Sequence, residues 1–140
     1  MNKIILDTNV IFSAIAFDKN MEKLLLHLFE NTDNYKIYVS NETLLELDEK
    51  LLSKKFLAYR DFSKEQVLEI LNWYKNHTIL TQVNFIVDIC RDPRDNKFLE
   101  LAKEIQSDYL ITGDNDLLEL KQFETTKILK PSEFINQVKL

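Results

Sequence analysis

Residues 109–118 read Tyr109-Leu110-Ile111-Thr112-Gly113-Asp114-Asn115-Asp116-Leu117-Leu118. An apolar run of strand length stops at the chain's single glycine, two aspartates follow, and leucines then resume at a helical spacing. This is the pattern of a buried strand that delivers carboxylates at its carboxyl end and feeds a short helical turn. The amino terminus repeats it: Ile4-Ile5-Leu6 runs into Asp7-Thr8-Asn9, and Val10 to Phe17 is helix-like. Between these two units the same alternation continues. Met21, Leu24, Leu25, Leu28 and Phe29 form an amphipathic stripe, Lys36 to Val39 reads as a strand, and Ser40 is a good N-cap. The spacing predicts a helix after Ser40, buried through Leu44, Leu45, Leu47, Leu51 and Leu52 and ending near Lys54-Lys55. Ser63 to Gln66 has capping-box spacing and opens a helix buried through Val67, Leu68, Ile70, Leu71 and Tyr74. Phe85 to Ile89 reads as a short strand or extended link, and Asp92-Pro93 as a helix start continued by Phe98, Leu101, Ala102 and Ile105. A strand at Lys127 to Leu129 and a helix from Pro131 or Ser132 close the chain. Strands alternating with helices at short spacing predict a three-layer α/β/α domain with a central parallel sheet, one domain over residues 1–140. In such a sheet ligands bind beyond the carboxyl ends of the strands.

Composition excludes several function classes. Average usage would supply about ten glycines in a chain of this length, and Gly113 is the only one. Dinucleotide turns, Walker-A loops and nucleophile elbows each need at least two, so all are excluded. At 45% hydrophobic and 29% charged residues, the chain has enough apolar material for a real core. Cys90 is the only cysteine, which permits no internal disulfide and fits a reducing cytosol. No uncharged run approaches the ~20 residues of a membrane span, so a cytoplasmic protein with no membrane partner is expected. The net charge of −5 argues against a simple basic clamp for nucleic acid. It also equals the charge of the five acids singled out next.

Asp7 follows the first strand, and Asp114 and Asp116 follow the strand at Tyr109 to Thr112. Asp95 lies in the first turn of its helix, and Glu46 lies in the helix after Ser40. Four chain segments thus bring carboxylates toward one rim of the sheet. Each acid has an ordinary reading too: Asp7, Asp92, Asp95, Asp114 and Asp116 suit caps or turns, and Glu46 suits an i,i+4 pair with Lys50. Together, however, clustered carboxylates repel unless a cation lies among them. Oxygen donors without nearby histidine or cysteine suit Mg²⁺ or Mn²⁺. Such an ion activates water at a phosphodiester, which makes hydrolysis of a nucleic-acid backbone the leading expectation.

With these residues in view, the chain resembles the PIN-domain family of metal-dependent ribonucleases, and within it the VapC-like toxins of prokaryotic toxin-antitoxin systems. Leu6-Asp7-Thr8-Asn9-Val10 with Ser13-Ala14 is similar to the family's first motif, and Ser40 with Glu46-Leu47 to its second. Arg91-Asp92-Pro93-Arg94-Asp95-Asn96 with Phe98-Leu99 is similar to the third, Thr112 to Leu118 to the fourth, and Ile128 to Pro131 with Glu133-Phe134 to the closing segment. The resemblance implies that Asp7, Glu46, Asp95 and Asp114 form an acidic quartet around Mg²⁺ or Mn²⁺, with Asp116 as an auxiliary ligand. Glu42 and Asp48 are the substitutes for Glu46. It implies Asn9 and Thr112 as groups that orient those carboxylates, and Asp92 as a helix cap. It further implies cleavage of single-stranded RNA by a metal-activated water, a cognate antitoxin partner and a homodimer. Lys54, Lys55, Arg60, Arg91, Arg94 and Lys97 are the basic residues placed to hold flanking phosphates.

Two rivals stand beside this reading. A haloacid-dehalogenase-like phosphohydrolase would use Asp7 as its nucleophile, although Asn9 stands where its second acid belongs. A non-catalytic α/β binding module would use the acids only as caps. His27, His77 and Cys90 are too scattered to suggest a nucleophile pair, and Trp73 and Tyr74 are expected in the core.

Overall fold

The computed structural model describes residues 1–139, and the side chain of Arg60 lies outside the described residues. Strand β1 (Asn2–Leu6) carries the apolar run of the amino terminus, and helices α1 (Thr8–Ala16) and α2 (Lys19–Glu30) follow it. Then come β2 (Tyr35–Val39), α3 (Asn41–Leu51), α4 (Lys54–Arg60), α5 (Lys64–Asn76) and the two-residue strand β3 (Ile79–Leu80). A 3₁₀ turn at Pro93–Asp95 leads into α6 (Asn96–Ile105), and β4 (Tyr109–Ile111) and α7 (Asn115–Leu118) follow. The hairpin of β5 (Gln122–Phe123) and β6 (Thr126–Leu129) and helix α8 (Pro131–Val138) complete the chain. The sheet order is β3-β2-β1-β4-β6-β5, and only β5 runs antiparallel. In register, Ile4 sits beside Ile37, Ile5 beside Leu110, and Leu110 beside Ile128.

Side chains alternate across the pleat. Ile4 and Leu6 therefore enter a core built with Val10, Leu24, Leu28, Leu47 and Phe134, while Ile5 enters the opposite core with Phe98, Leu99, Leu101, Leu110 and Ile128. Helices cover both faces, and the fold is the three-layer α/β/α arrangement. β1 has β2 on one side and β4 on the other, so the chain reverses its winding direction there. The crevice beyond the carboxyl ends of β1 and β4 is the place such a sheet offers a ligand.

Several local expectations are corrected. The helix after Ser40 ends before Lys54, because Ser53 accepts the Phe56 N–H at 3.2 Å and caps a separate helix α4. Leu45 is 61% exposed, Leu68 46% and Trp73 46%, although the helical period or the aromatic ring predicts a core position for each. Trp73 instead stacks on His77 with ring centroids 4.2 Å apart. Residues 85–89 form the extended link, not a strand. N–H groups in and beside that segment go to side chains of α6: Asn84 donates to Glu104 at 2.8 Å, Val87 to Glu100 at 3.0 Å, Ile89 to Asn96 at 3.3 Å and Cys90 to Asn96 at 3.0 Å. A backbone pinned in this way needs no neighbouring strand.

With one glycine available, the left-handed positions fall to other residues: Asp61, Gln106, Lys121, Glu124 and Lys139 all have φ between 51° and 61°. Gly113 has no positive φ, and a Cβ built on it meets nothing within 4 Å. Its turn does not require glycine. We expect Gly113→Ala to raise stability by about 0.4–1 kcal/mol, by lowering the entropy of the unfolded chain, as read by urea denaturation.

Candidate metal centre

Asp7 stands where β1 becomes α1, and its own N–H donates to the Ile111 carbonyl at 3.0 Å, extending the β1–β4 pairing by one step. Its side chain is the N-cap of α1, with Oδ1 accepting the Asn9 N–H at 3.2 Å. Its other oxygen, Oδ2, accepts the Thr112 hydroxyl at 2.6 Å. The residue is only 3% exposed. Burial raises its pKa above the ordinary carboxylate value, and Glu46 adds to this, while the Thr112 and Asn9 hydrogen bonds and Lys50 oppose it. Capping and site-facing roles thus coincide in one side chain.

Asp114 has the same double character at the end of β4. It caps α7 by accepting the Asp116 N–H at 2.9 Å, and its own N–H donates to the Thr112 hydroxyl oxygen at 3.0 Å. One hydroxyl therefore ties Asp7 to Asp114 across two strand ends. Thr112→Val keeps the shape and removes the tie. The expected result is a roughly 10–100-fold loss of activity, the range for groups that orient metal-binding side chains, with Thr112→Ser retaining most of it.

Asp95 differs from both. It occupies the N-cap position of α6 without making a side-chain cap, and its Oδ2 is buried with no hydrogen-bond partner. Burial, a side-chain hydrogen bond shared with Asp114 and the charges of Asp114, Asp7 and Asp92 push its pKa up to about 7. Asp95, Asp114 and Asp116 each offer a carboxylate oxygen within 4.8 Å of the others. Asp95 and Asp114 line a cleft of about 480 Å³ together with Asp7, Asn9, Glu42 and Glu46. Glu46 faces this cleft, whereas Asp48 turns away to accept the Lys75 ammonium at 3.2 Å. The Glu46 carboxylate is ion-paired with Lys97, and Lys50 lies 3.8 Å from its other oxygen.

The sequence profile of the PIN domain family matches residues 3–116 of this chain. The chain belongs to the PIN domain family. A curated relative, the uncharacterised protein MJ1680 of Methanocaldococcus jannaschii, is 32% identical over 146 aligned residues, covering 96% of this chain and 90% of the relative. Among solved structures, VapBC2 from Rickettsia felis bound to a DNA fragment from its promoter superposes with TM-score 0.59 at 16% identity, covering 90% of this chain and 96% of that one. FitAcB from Neisseria gonorrhoeae superposes with TM-score 0.59 at 18% identity, covering 92% and 98%. At these identities the superpositions speak for the fold.

The remaining candidates are spread around the PIN domain's cleft. Asn9 reaches Asp7 through its backbone, while its side-chain oxygen accepts the Lys50 ammonium at 2.8 Å. Asp116 has Arg91 at 3.6 Å, and Arg91 also reaches Glu119 at 3.5 Å. Arg94 is engaged with Asp92 at 2.8 Å, and Asp92 caps the 3₁₀ turn. Lys54 and Lys55 are exposed on α4, and Lys55 lines a neighbouring shallow cleft. Cys90 has its thiol pushed up to about 11 by burial and by Asp95, Asp114 and Asp116, which leaves it uncharged and unsuited to nucleophilic work. Three further residues beside the acids are not among the candidate site residues of the sequence. Lys50 is presented by the turn of α3 after Glu46, Leu45 lines the cleft, and Asn96 pins the Ile89 and Cys90 N–H groups beside Asp95. The i,i+4 spacing of Glu46 and Lys50 was the available hint for the first.

Proposed function

We propose that the protein is a Mg²⁺- or Mn²⁺-dependent endoribonuclease that hydrolyses single-stranded RNA in the cytoplasm. It is further proposed to be the toxin of a toxin-antitoxin pair, working as a single domain over residues 1–140 in a homodimer. The observation that carries the reading is Asp95: a buried carboxylate oxygen without a partner, facing Asp114 and Asp116. An oxygen-only donor set of this kind fits a hard divalent cation. Asp95, Asp114 and Asp116 would hold the ion, with Asp7 beside them and Glu46 as the further acid of the cleft. When bound there, the ion supplies an activated water and charge neutralisation at a phosphodiester.

The protein's own groups do the positioning. Thr112 fixes Asp7 and Asp114 relative to each other, and the Asn9 N–H fixes the rotamer of Asp7. Lys97 and Lys50 place two ammonium groups on the cleft wall, where they attract the phosphates on either side of the scissile bond. The partner reading follows from the resemblance to the VapC-like toxins, and VapBC2 of Rickettsia felis and FitAcB of Neisseria gonorrhoeae share the fold. Asp7 as a covalent nucleophile is disfavoured, since both its oxygens are engaged and it is almost wholly buried. Among the described residues, no helix is long and apolar enough to cross a membrane.

The test is incubation of purified protein with single-stranded RNA and Mg²⁺ or Mn²⁺, against the same mixture with chelator. Metal-dependent products ending in a 5′-phosphate are expected. Cleavage that persists in chelator, or phosphate trapped on Asp7, defeats the reading.

A further inference from the structure

The acidic cleft does not end at its lysines. A second, shallower cleft of about 290 Å³ is lined by Asn9, Phe12, Glu49, Lys50, Ser53 and Lys55, and it shares Asn9, Glu49 and Lys50 with the first. Lys50 stands on the sill between the two, tied to Asn9 on α1 and facing Glu46 on its own helix. Beyond the sill lies an aromatic cluster. Phe12 meets Tyr59 edge-on at 6.1 Å, and Tyr59 lies 5.6 Å from Phe17 with the rings tilted by 40°. Phe17 is 58% exposed and Tyr59 51%.

Exposed rings that touch one another beside polar groups mark an interaction surface. A peptide surface would also cover rings, but here Phe12 joins the cluster to the cleft that Lys50 and Lys55 line, and that cleft runs on into the acidic one. Alternation of basic and aromatic side chains along a groove is the chemistry that holds single-stranded nucleic acid, with charge following the backbone and rings stacking on bases. A duplex cannot use it, because its bases are already stacked on one another.

We propose that Phe17, Tyr59, Lys50 and Lys55 form a subsite for nucleotides flanking the cleavage point, which selects single-stranded over double-stranded RNA. This rests on the ribonuclease reading above. A phosphate next to the scissile one lies at Lys50, a further one at Lys55, and an unpaired base stacks on the Phe17–Tyr59 pair.

The experiment measures binding of a fluorescent single-stranded oligoribonucleotide by anisotropy in chelator, where cleavage is suppressed, and cleavage of long and very short RNAs in Mn²⁺. Wild type is compared with Phe17→Ala, Tyr59→Ala, the double variant, Tyr59→Phe and Lys55→Ala. Removing either ring is expected to weaken binding of the long RNA about tenfold, while Tyr59→Phe binds as wild type. Lys55→Ala should reduce the salt dependence of binding. Cleavage of an RNA too short to leave the acidic cleft should be unchanged in the Phe17 and Tyr59 variants. A double variant that binds and cleaves the long RNA as wild type does, or that loses only antitoxin binding, overturns the subsite alone. Wild type that neither binds nor cleaves RNA overturns the ribonuclease reading and the subsite with it.

Discussion

Asp95→Asn is expected to lower RNA cleavage by more than about 100-fold, since even outer groups that merely orient metal ligands cost roughly 10–100-fold. The same substitution should also reshape the pH dependence of stability in the metal-free protein. Asp95 binds a proton more tightly in the folded chain, where its pKa is pushed up to about 7, than in an unfolded chain with the ordinary carboxylate value of 3.8. Its favourable contribution is therefore complete below the unfolded value and is lost as the pH rises through the folded one. Wild type in chelator should melt at progressively lower temperature from about pH 4 to about pH 7. In Asp95→Asn that decline should be shallower. It should not vanish, because buried Asp7 is shifted in the same direction. Asparagine keeps the side-chain volume and removes the charge, so loss of activity here comes with a gain in metal-free stability at neutral pH. Melting curves across this range, paired with cleavage rates, check both halves. An unchanged decline would mean that Asp95 is not the strained group, and full activity would remove it from the site.

Much of this arrangement was legible from residue order because the deciding signals were local. The runs at Ile4 to Leu6 and Tyr109 to Ile111, each followed by an aspartate and a helix, announce a parallel sheet with acids at its carboxyl ends. The structure pairs those strands directly, Ile5 beside Leu110. Ser63 and Gln66 make the capping box that their spacing announced. What stayed illegible depends on partners distant in sequence. Two-residue strands such as β3 and β5 are too short to show any period. The link at residues 85–89 looks strand-like, and only the α6 side chains that satisfy its N–H groups explain why no strand forms there. Leu45 and Leu68 are apolar on helices whose neighbours leave them open, which a helical wheel cannot know. At the site, a wheel centred on the leucines of α3 turns Glu46 toward solvent. The structure shows why it is nonetheless half-buried: Lys97 of α6, 51 residues away, closes over it. The net charge of −5 also reads differently now, since Asp7, Glu46, Asp95, Asp114 and Asp116 gather at one rim and the basic groups Lys50, Arg94 and Lys97 stand around them.

Adding Mn²⁺ or Mg²⁺ should raise the melting temperature of the wild type substantially at about pH 8, and far less at about pH 5, because cation and proton compete for the same oxygens. A ligand at 100 times its dissociation constant stabilises the folded state by about 2.7 kcal/mol. For a domain of this size each kcal/mol moves the midpoint by roughly 2–4 °C, so a shift of about 5–10 °C is expected near saturation. The sign follows from the site itself. Without the ion, Asp95 and Asp114 repel each other and the buried Asp95 oxygen has no partner; with it, the repulsion becomes ligation. Asp114→Asn should remove most of the shift, because Asp114 faces Asp95 directly. Asp116→Asn should remove less, because its carboxylate also has Arg91 at 3.6 Å to answer to. Lys97→Met provides the contrasting case. It leaves Glu46 with Lys50 alone, so the cleft becomes more negative and the ion should bind more tightly, while phosphate contact is lost and RNA cleavage falls. Differential scanning fluorimetry with a metal titration separates these outcomes. No shift for wild type at about pH 8 in excess Mn²⁺ would mean that these acids hold no metal ion.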